Sequence, residues 1–241
     1  MVSPHRERHH IKYPGVIISR ALLAAGLLCA VLLAPAPVMA GSSPEPPSSD
    51  RLAAALLVPE DLGPGFAHSA DLNRDPLSST VLLSKACTRA VKGIAPLYRA
   101  KFATALENAD EWERLNEYIV NGTRSDIATL ERAAKVMVRD CGHVSVARRY
   151  AKDSIRKLQV GKLGDSVYAI KIRSGIPGRN LDKDSMIAID IVIIRVGHTM
   201  IALEHTVNVG RPDSALTRSA AETATRRLQK TLEDSPVEIP L

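Results

Sequence analysis

"SMIAIDIVIIRVGHTMIALEHTVNV", residues 185–209, is the stretch that decides the fold. It reads as two long β-strands joined by Gly197 and His198, since a two-residue hairpin turn can take glycine first. From Met186 to Ile194 the first strand is apolar on both faces, apart from one acid, Asp190. In a strand buried on both faces a lone carboxylate is costly unless it has a partner. The two-residue turn sets Asp190 opposite His205, with Ala188 opposite Val207 and Val192 opposite Leu203. A three-residue turn would set His205 against Ile191 instead. Asp190 and His205 are therefore the candidate ligand-binding residues, weighed against the plainer reading of a satisfied polar contact inside the sheet.

Working outward, four more segments read as strands. "RAKFATAL" and "WERLNEYIVN" flank the turn-like "ENADE", and "DSIRKLQV" and "SVYAIKIRS" flank a turn over residues 161–164. Helical spacing marks Leu83, Cys87, Ala90 or Val91, and Ile94, then Ile127, Leu130, Ala134, Met137 or Val138, and Cys141, and finally Leu216, Ala220, Ala224, Leu228 and Leu232. Thr123 or Ser125 caps the second of these helices, and Asp213 stands before the last. A short helix ends near Pro59. The fold class expected is α+β: a mostly antiparallel sheet of about six strands with helices packed on it.

The chain begins with a leader. Arg6, Arg8, Lys12 and Arg20 precede "ALLAAGLLCAVLLA" at 21–34, and Val38 and Ala40 satisfy the small-residue rule for cleavage before Gly41. The apolar run is short for a membrane span of about twenty residues. Residues 1–40 are read as a signal peptide, 41–50 ("GSSPEPPSSD") as a tether, 51–235 as one domain and 236–241 as a tail. The expected location is secreted or in the cell envelope, with membrane contact only through a retained signal segment. Leu28 precedes Cys29 where lipid attachment requires a small residue. Part of the formal net charge of +6 belongs to the leader, and two Phe and one Trp leave no stacking platform, so nucleic acid is not an expected partner.

Cys87 and Cys141 remain after processing, each on an apolar helical face, and outside the cytoplasm such a pair oxidises. Closing the loop between them stabilises by about 4 kcal/mol on the chain-entropy model. Motifs for catalysis are missing: there is no Gly-x-Ser-x-Gly elbow, no His-Glu-x-x-His and no phosphate-cradling loop. Neither a metal nor a cofactor is expected. The acids Asp110, Glu111, Glu113 and Glu117, interleaved with Arg114 in a hairpin, read as a solvated face.

The motif "LLVPEDLGPGF" at 56–66, the pair Cys87 and Cys141, "LGDSVYAI" at 163–170 and "IIRVGHTMIAL" at 193–203 give the chain a resemblance. It resembles the extracellular sensor domain of PknH-type actinobacterial Ser/Thr kinases, which also occurs without a kinase in exported proteins and lipoproteins. The resemblance implies an antiparallel sheet with helices, a cleft and an environmental ligand. The kinase form has two disulfides, whereas this chain has cysteines for one. The function expected is a non-catalytic sensor-like or ligand-binding domain, its partner a small molecule or an envelope component. Its rivals are a hydrolase using an Asp-His pair and a structural, partner-binding protein.

Overall fold

The computed structural model describes residues 48–72, 85–110, 112–147, 149–183, 185–210 and 213–234. The expected signal peptide, most of the tether, the tail, and Leu83 at the start of a predicted helix lie outside the described residues. In chain order the elements are α1 (Ser49–Ala54), β1 (Ala67–His68), α2 (Lys85–Ile94), β2 (Phe102–Asn108), β3 (Glu113–Asn121), α3 (Arg124–Cys141), β4 (Ser145–Ala147), β5 (Lys152–Lys157), β6 (Ser166–Gly175), β7 (Ser185–Val196), β8 (Thr199–Gly210) and α4 (Ser214–Glu233). The first helix begins at Ser49, just inside the segment read as tether.

One antiparallel sheet holds all eight strands in the order β1-β2-β3-β8-β7-β6-β5-β4. The expectation of about six strands is corrected to eight. The additional strands, β1 and β4, are two and three residues long at the two edges. Segments that short carry no periodicity to read. The deciding hairpin lies at the centre. Val196 pairs with Thr199 and Gly197 has φ +59°, a backbone that glycine adopts without strain, so the turn has two residues and Asp190 stands opposite His205.

Helices cover both faces. On one, α2 and α3 pack over Tyr118, Ile170, Ile172, Ile189, Ile191, Ile193, Met200 and Ala202. On the other, α1 and α4 pack over Leu106, Leu115, Ile119, Val192, Ile194, Ile201 and Leu203. Two covered faces explain why β7 reads as a continuous apolar run rather than an alternating one. Alternate side chains fill opposite layers, and burying each isoleucine stabilises by roughly 1.5–3 kcal/mol.

Local chemistry starts the helices where the sequence places them. Thr123 caps α3, its hydroxyl accepting from the Asp126 N–H while the Asp126 carboxylate reaches back to the Thr123 N–H. Asp213 caps α4 by accepting from the Ala215 N–H at 2.7 Å. Cys87 and Cys141 are bonded, and they tie α2 to the end of α3 inside the first core layer.

Candidate functional site

The acid of β7 has a partner, but a different one from the partner expected. Asp190 and His205 face each other in register, yet the Thr217 side chain, one turn into α4, stands between them. Its hydroxyl donates to Asp190 Oδ2 at 3.0 Å and lies 2.7 Å from His205 Nδ1. A hydroxyl has one proton, so once that proton goes to Asp190 the oxygen accepts from the imidazole Nδ1–H.

The counter-charge of Asp190 comes from β6. Arg173 Nη1 lies 2.7 Å from Asp190 Oδ1 and also donates to the carbonyls of Ile172 and Ile189. His205 Nε2 stands 2.7 Å from Glu113 Oε1 on β3, with one proton between them. The result is a chain of contacts, Arg173–Asp190–Thr217–His205–Glu113, running across four strands beneath α4. Every member is buried.

Glu113 and Glu117 therefore do not lie on a solvated face. β3 is an interior strand between β2 and β8, and alternation puts Glu113, Leu115, Glu117 and Ile119 together toward α1 and α4. Glu117 Oε2 accepts the Leu57 N–H at 2.6 Å, and Oε1 is buried with no hydrogen-bond partner. Burial raises its carboxyl to about 8, against the partial relief of the Leu57 N–H and the Arg227 charge. On the opposite face Glu204 is buried as well, accepting from Asn116 Nδ2 and from the Thr206 hydroxyl. Burial first, and then the Glu204 charge, push the Tyr98 phenol well above its ordinary range.

Glu113 is where the network meets an open cleft of 520 Å³. The cleft is walled by Leu62, Pro64 and Phe66 of the loop before β1, by Val207 and Val209 at the end of β8, and by Leu216 of α4. Gly65 has φ +92°, a backbone that favours glycine, and lies so near the Asn108 side chain that a Cβ would meet Nδ2 at 3.0 Å, so glycine there lets the loop close on β2 without strain. Trp112 stands on the rim, 69% exposed, and Val209 is 78% exposed. Both hold left-handed backbone, at φ +53° and +58°, and the Asn208 N–H donates to the Trp112 carbonyl between them. A β-branched residue such as valine rarely takes that backbone. A second hollow of 560 Å³ lies beside Trp112 and Glu113, reaching Arg114, Asn116, Thr206 and Asn208.

No protein-family model matches this sequence, and no curated protein matches it in sequence. Among solved structures, the extracellular domain of PknH from Mycobacterium tuberculosis matches with a TM-score of 0.50 at 11% identity, over 78% of this chain and all of that domain. The chain shares its fold with that extracellular domain. An uncharacterized Mycobacterium smegmatis protein, an ortholog of Rv0999, is similar more loosely, with a TM-score of 0.42 at 14% identity over 75% of this chain and 96% of that one. At such identity the likeness is one of fold. It agrees with the reading of the motifs at 56–66, 163–170 and 193–203, two of which now have structural roles. The first walls the cleft. The second turns at Asp165, whose carboxylate accepts the Gly197 N–H at 2.7 Å and so braces the central hairpin that forms the third.

Proposed function

We infer that this chain is an exported, non-catalytic, sensor-like domain of the cell envelope that binds a small molecule in the cleft between the 62–66 loop, the start of β3 and the end of β8. The observation that carries the reading is the pair of strained, exposed apolar residues on the rim, Trp112 and Val209, above the buried carboxylate of Glu113. Left-handed backbone at a non-glycine residue costs of order 1–3 kcal/mol and is retained where function holds it. Apolar walls from Leu62, Phe66, Val207 and Leu216 together with the carboxylates of Asp110, Glu113 and Asp213 suit an amphipathic ligand that presents an amine or another cationic donor. The leader, the disulfide and the likeness to an extracellular domain all support a place outside the cytoplasm.

The hydrolase reading rests on Asp190, His205 and the neighbouring Thr217 hydroxyl. All three are at most 2% exposed, so a substrate has no path to that hydroxyl. The trio instead positions Glu113. In this account Asp190 and His205 serve the ligand from behind, by fixing the acid that meets it.

Trp112 is the single tryptophan of the chain, so its emission reports on the cleft and on the hollow beside it. Titrating the protein with the small-molecule fraction of its own envelope should shift and saturate that emission, and Glu113→Gln should weaken the response. A response that never saturates, or one unchanged by Glu113→Gln, contradicts the assignment.

A further inference from the structure

The far end of the buried network opens on a different surface. Where α4 stops covering the sheet, Lys152 and Arg156 of β5, Lys171 and Arg173 of β6, and Arg179 of the following loop line a basin of 260 Å³, with Asp182 as its carboxylate. Arg156 stands directly opposite Lys171 in the β5–β6 ladder, and like charges so placed repel. Lys171 Nζ is paired with Asp182 at 2.7 Å, while Arg156 donates only to the carbonyls of Val144 and Ile155. Among the described residues Lys152 and Arg179 have no carboxylate partner. Arg173 is 2% exposed, its Nη1 is committed to Asp190 and two carbonyls, and its Nε has no hydrogen-bond partner.

A nearly buried guanidinium beside four more cations is unfavourable unless something of opposite charge completes the basin. Asp190 balances Arg173 from below and Asp182 balances one lysine at the rim. Three positive charges remain facing one another.

We propose that this basin is a binding site for a phosphoryl anion, a phosphate or phosphomonoester group, anchored from below by Arg173 and gripped at the rim by Lys152, Arg156 and Arg179. Guanidinium groups match tetrahedral oxyanions through paired N–H donors, and lysine adds a point charge. The volume is just under the roughly 300–1,000 Å³ of drug-sized sites, which suits a head group rather than a whole ligand. The Asp182 carboxyl is held below its ordinary range, first by the Lys171 hydrogen bond and then by the charges of Lys171, Arg173 and Arg156, which is the field an anion would meet.

The test is calorimetric titration of the full chain with inorganic phosphate, with chloride at equal ionic strength as the control. Lys152→Ala, half-buried at the start of β5, and Arg179→Ala, exposed in the loop, remove side chains that have no carboxylate partner among the described residues, and each should weaken phosphate binding about tenfold, the size of one charge-assisted hydrogen bond. Arg173→Lys keeps the charge beside Asp190 but loses the fork, and should weaken binding by at least as much. Arg132→Ala, on the exposed side of α3, should change nothing. Glycerol 2-phosphate and phosphatidylcholine vesicles doped with phosphatidic acid then separate the sources: saturable binding of the ester points to a soluble ligand, and vesicle binding competed by free phosphate points to a lipid head group. Phosphate heats no larger than those of chloride overturn the proposal, as does an equal loss from Arg132→Ala.

Discussion

Thr217 is the residue on which the buried network turns. It brings to the sheet a hydroxyl small enough to fit between Asp190 and His205 and able to bond both. Thr217→Val keeps the shape and orphans Asp190 Oδ2 and His205 Nδ1, so urea unfolding should show a loss of about 1–3 kcal/mol. Asp190→Ala leaves the Arg173 guanidinium buried without its counter-charge and should cost about 3–5 kcal/mol, with Arg173→Met in the same chain recovering much of that. Single losses that simply add in the double variant would mean the two side chains do not interact. Half of this was legible in the sequence. The anomaly of Asp190 and its register with His205 follow from apolar patterning and one turn. The actual partners could not be read, because Arg173 and Thr217 come from other elements and nothing local marks them. Glu113 and Glu117 were readable in principle, since they share the parity of Leu115 and Ile119, but their density with Arg114 mimics a wet surface. Glu117 makes its own prediction. Its carboxyl is raised from 4.5 to about 8, so the folded state holds that proton more tightly than the unfolded chain. The associated stability is fully present below about pH 4.5 and is lost as pH rises through about 8, on the order of a few kcal/mol. Glu117→Gln should flatten that slope in denaturation measured from pH 5 to 9 and should raise stability at pH 8; an unchanged slope would place the proton elsewhere.

At the scale of elements, the ends of β3 and β8 are where the structure departs from regular ladder geometry. The φ of +58° at Val209 predicts that Val209→Gly, which removes the side-chain clash, stabilises the fold by about 1 kcal/mol in chemical denaturation while weakening ligand binding in the cleft. A destabilised variant would show that the valine contributes packing rather than strain. The disulfide belongs to the opposite layer. Replacing Cys87 and Cys141 by alanine should lower stability by up to about 4 kcal/mol, because it frees a long loop in the unfolded chain, and should leave the Trp112 emission unchanged. Loss of the cleft signal on reduction would contradict the separation of the two layers. Long elements were legible: the helical period repeats three or more times in α3 and α4, and β7 is a sustained apolar run joined to β8 by a glycine turn. β1 and β4 were not, because two or three residues define no period and their pairing is set by the strands they edge.

At the scale of the whole molecule, two helical layers enclose one sheet, and a single polar thread crosses the α4 side of it from the basin at Arg173 to the cleft at Glu113. Neither end is visible in the sequence as a site, since the cleft is assembled from residues 62 to 216 and the basin from residues 145 to 182. Hydropathy fixes the layers, whereas the polar groups that break it find one another only in three dimensions. The cleft under Trp112 is the proposed seat of a small molecule. The most direct test is native mass spectrometry of the protein purified from its own envelope, beside a Trp112→Ala variant prepared identically. A bound species of defined mass is expected on the unaltered protein and is lost or much reduced on the variant. A bound species retained equally by both, or bare protein in both, would contradict that assignment.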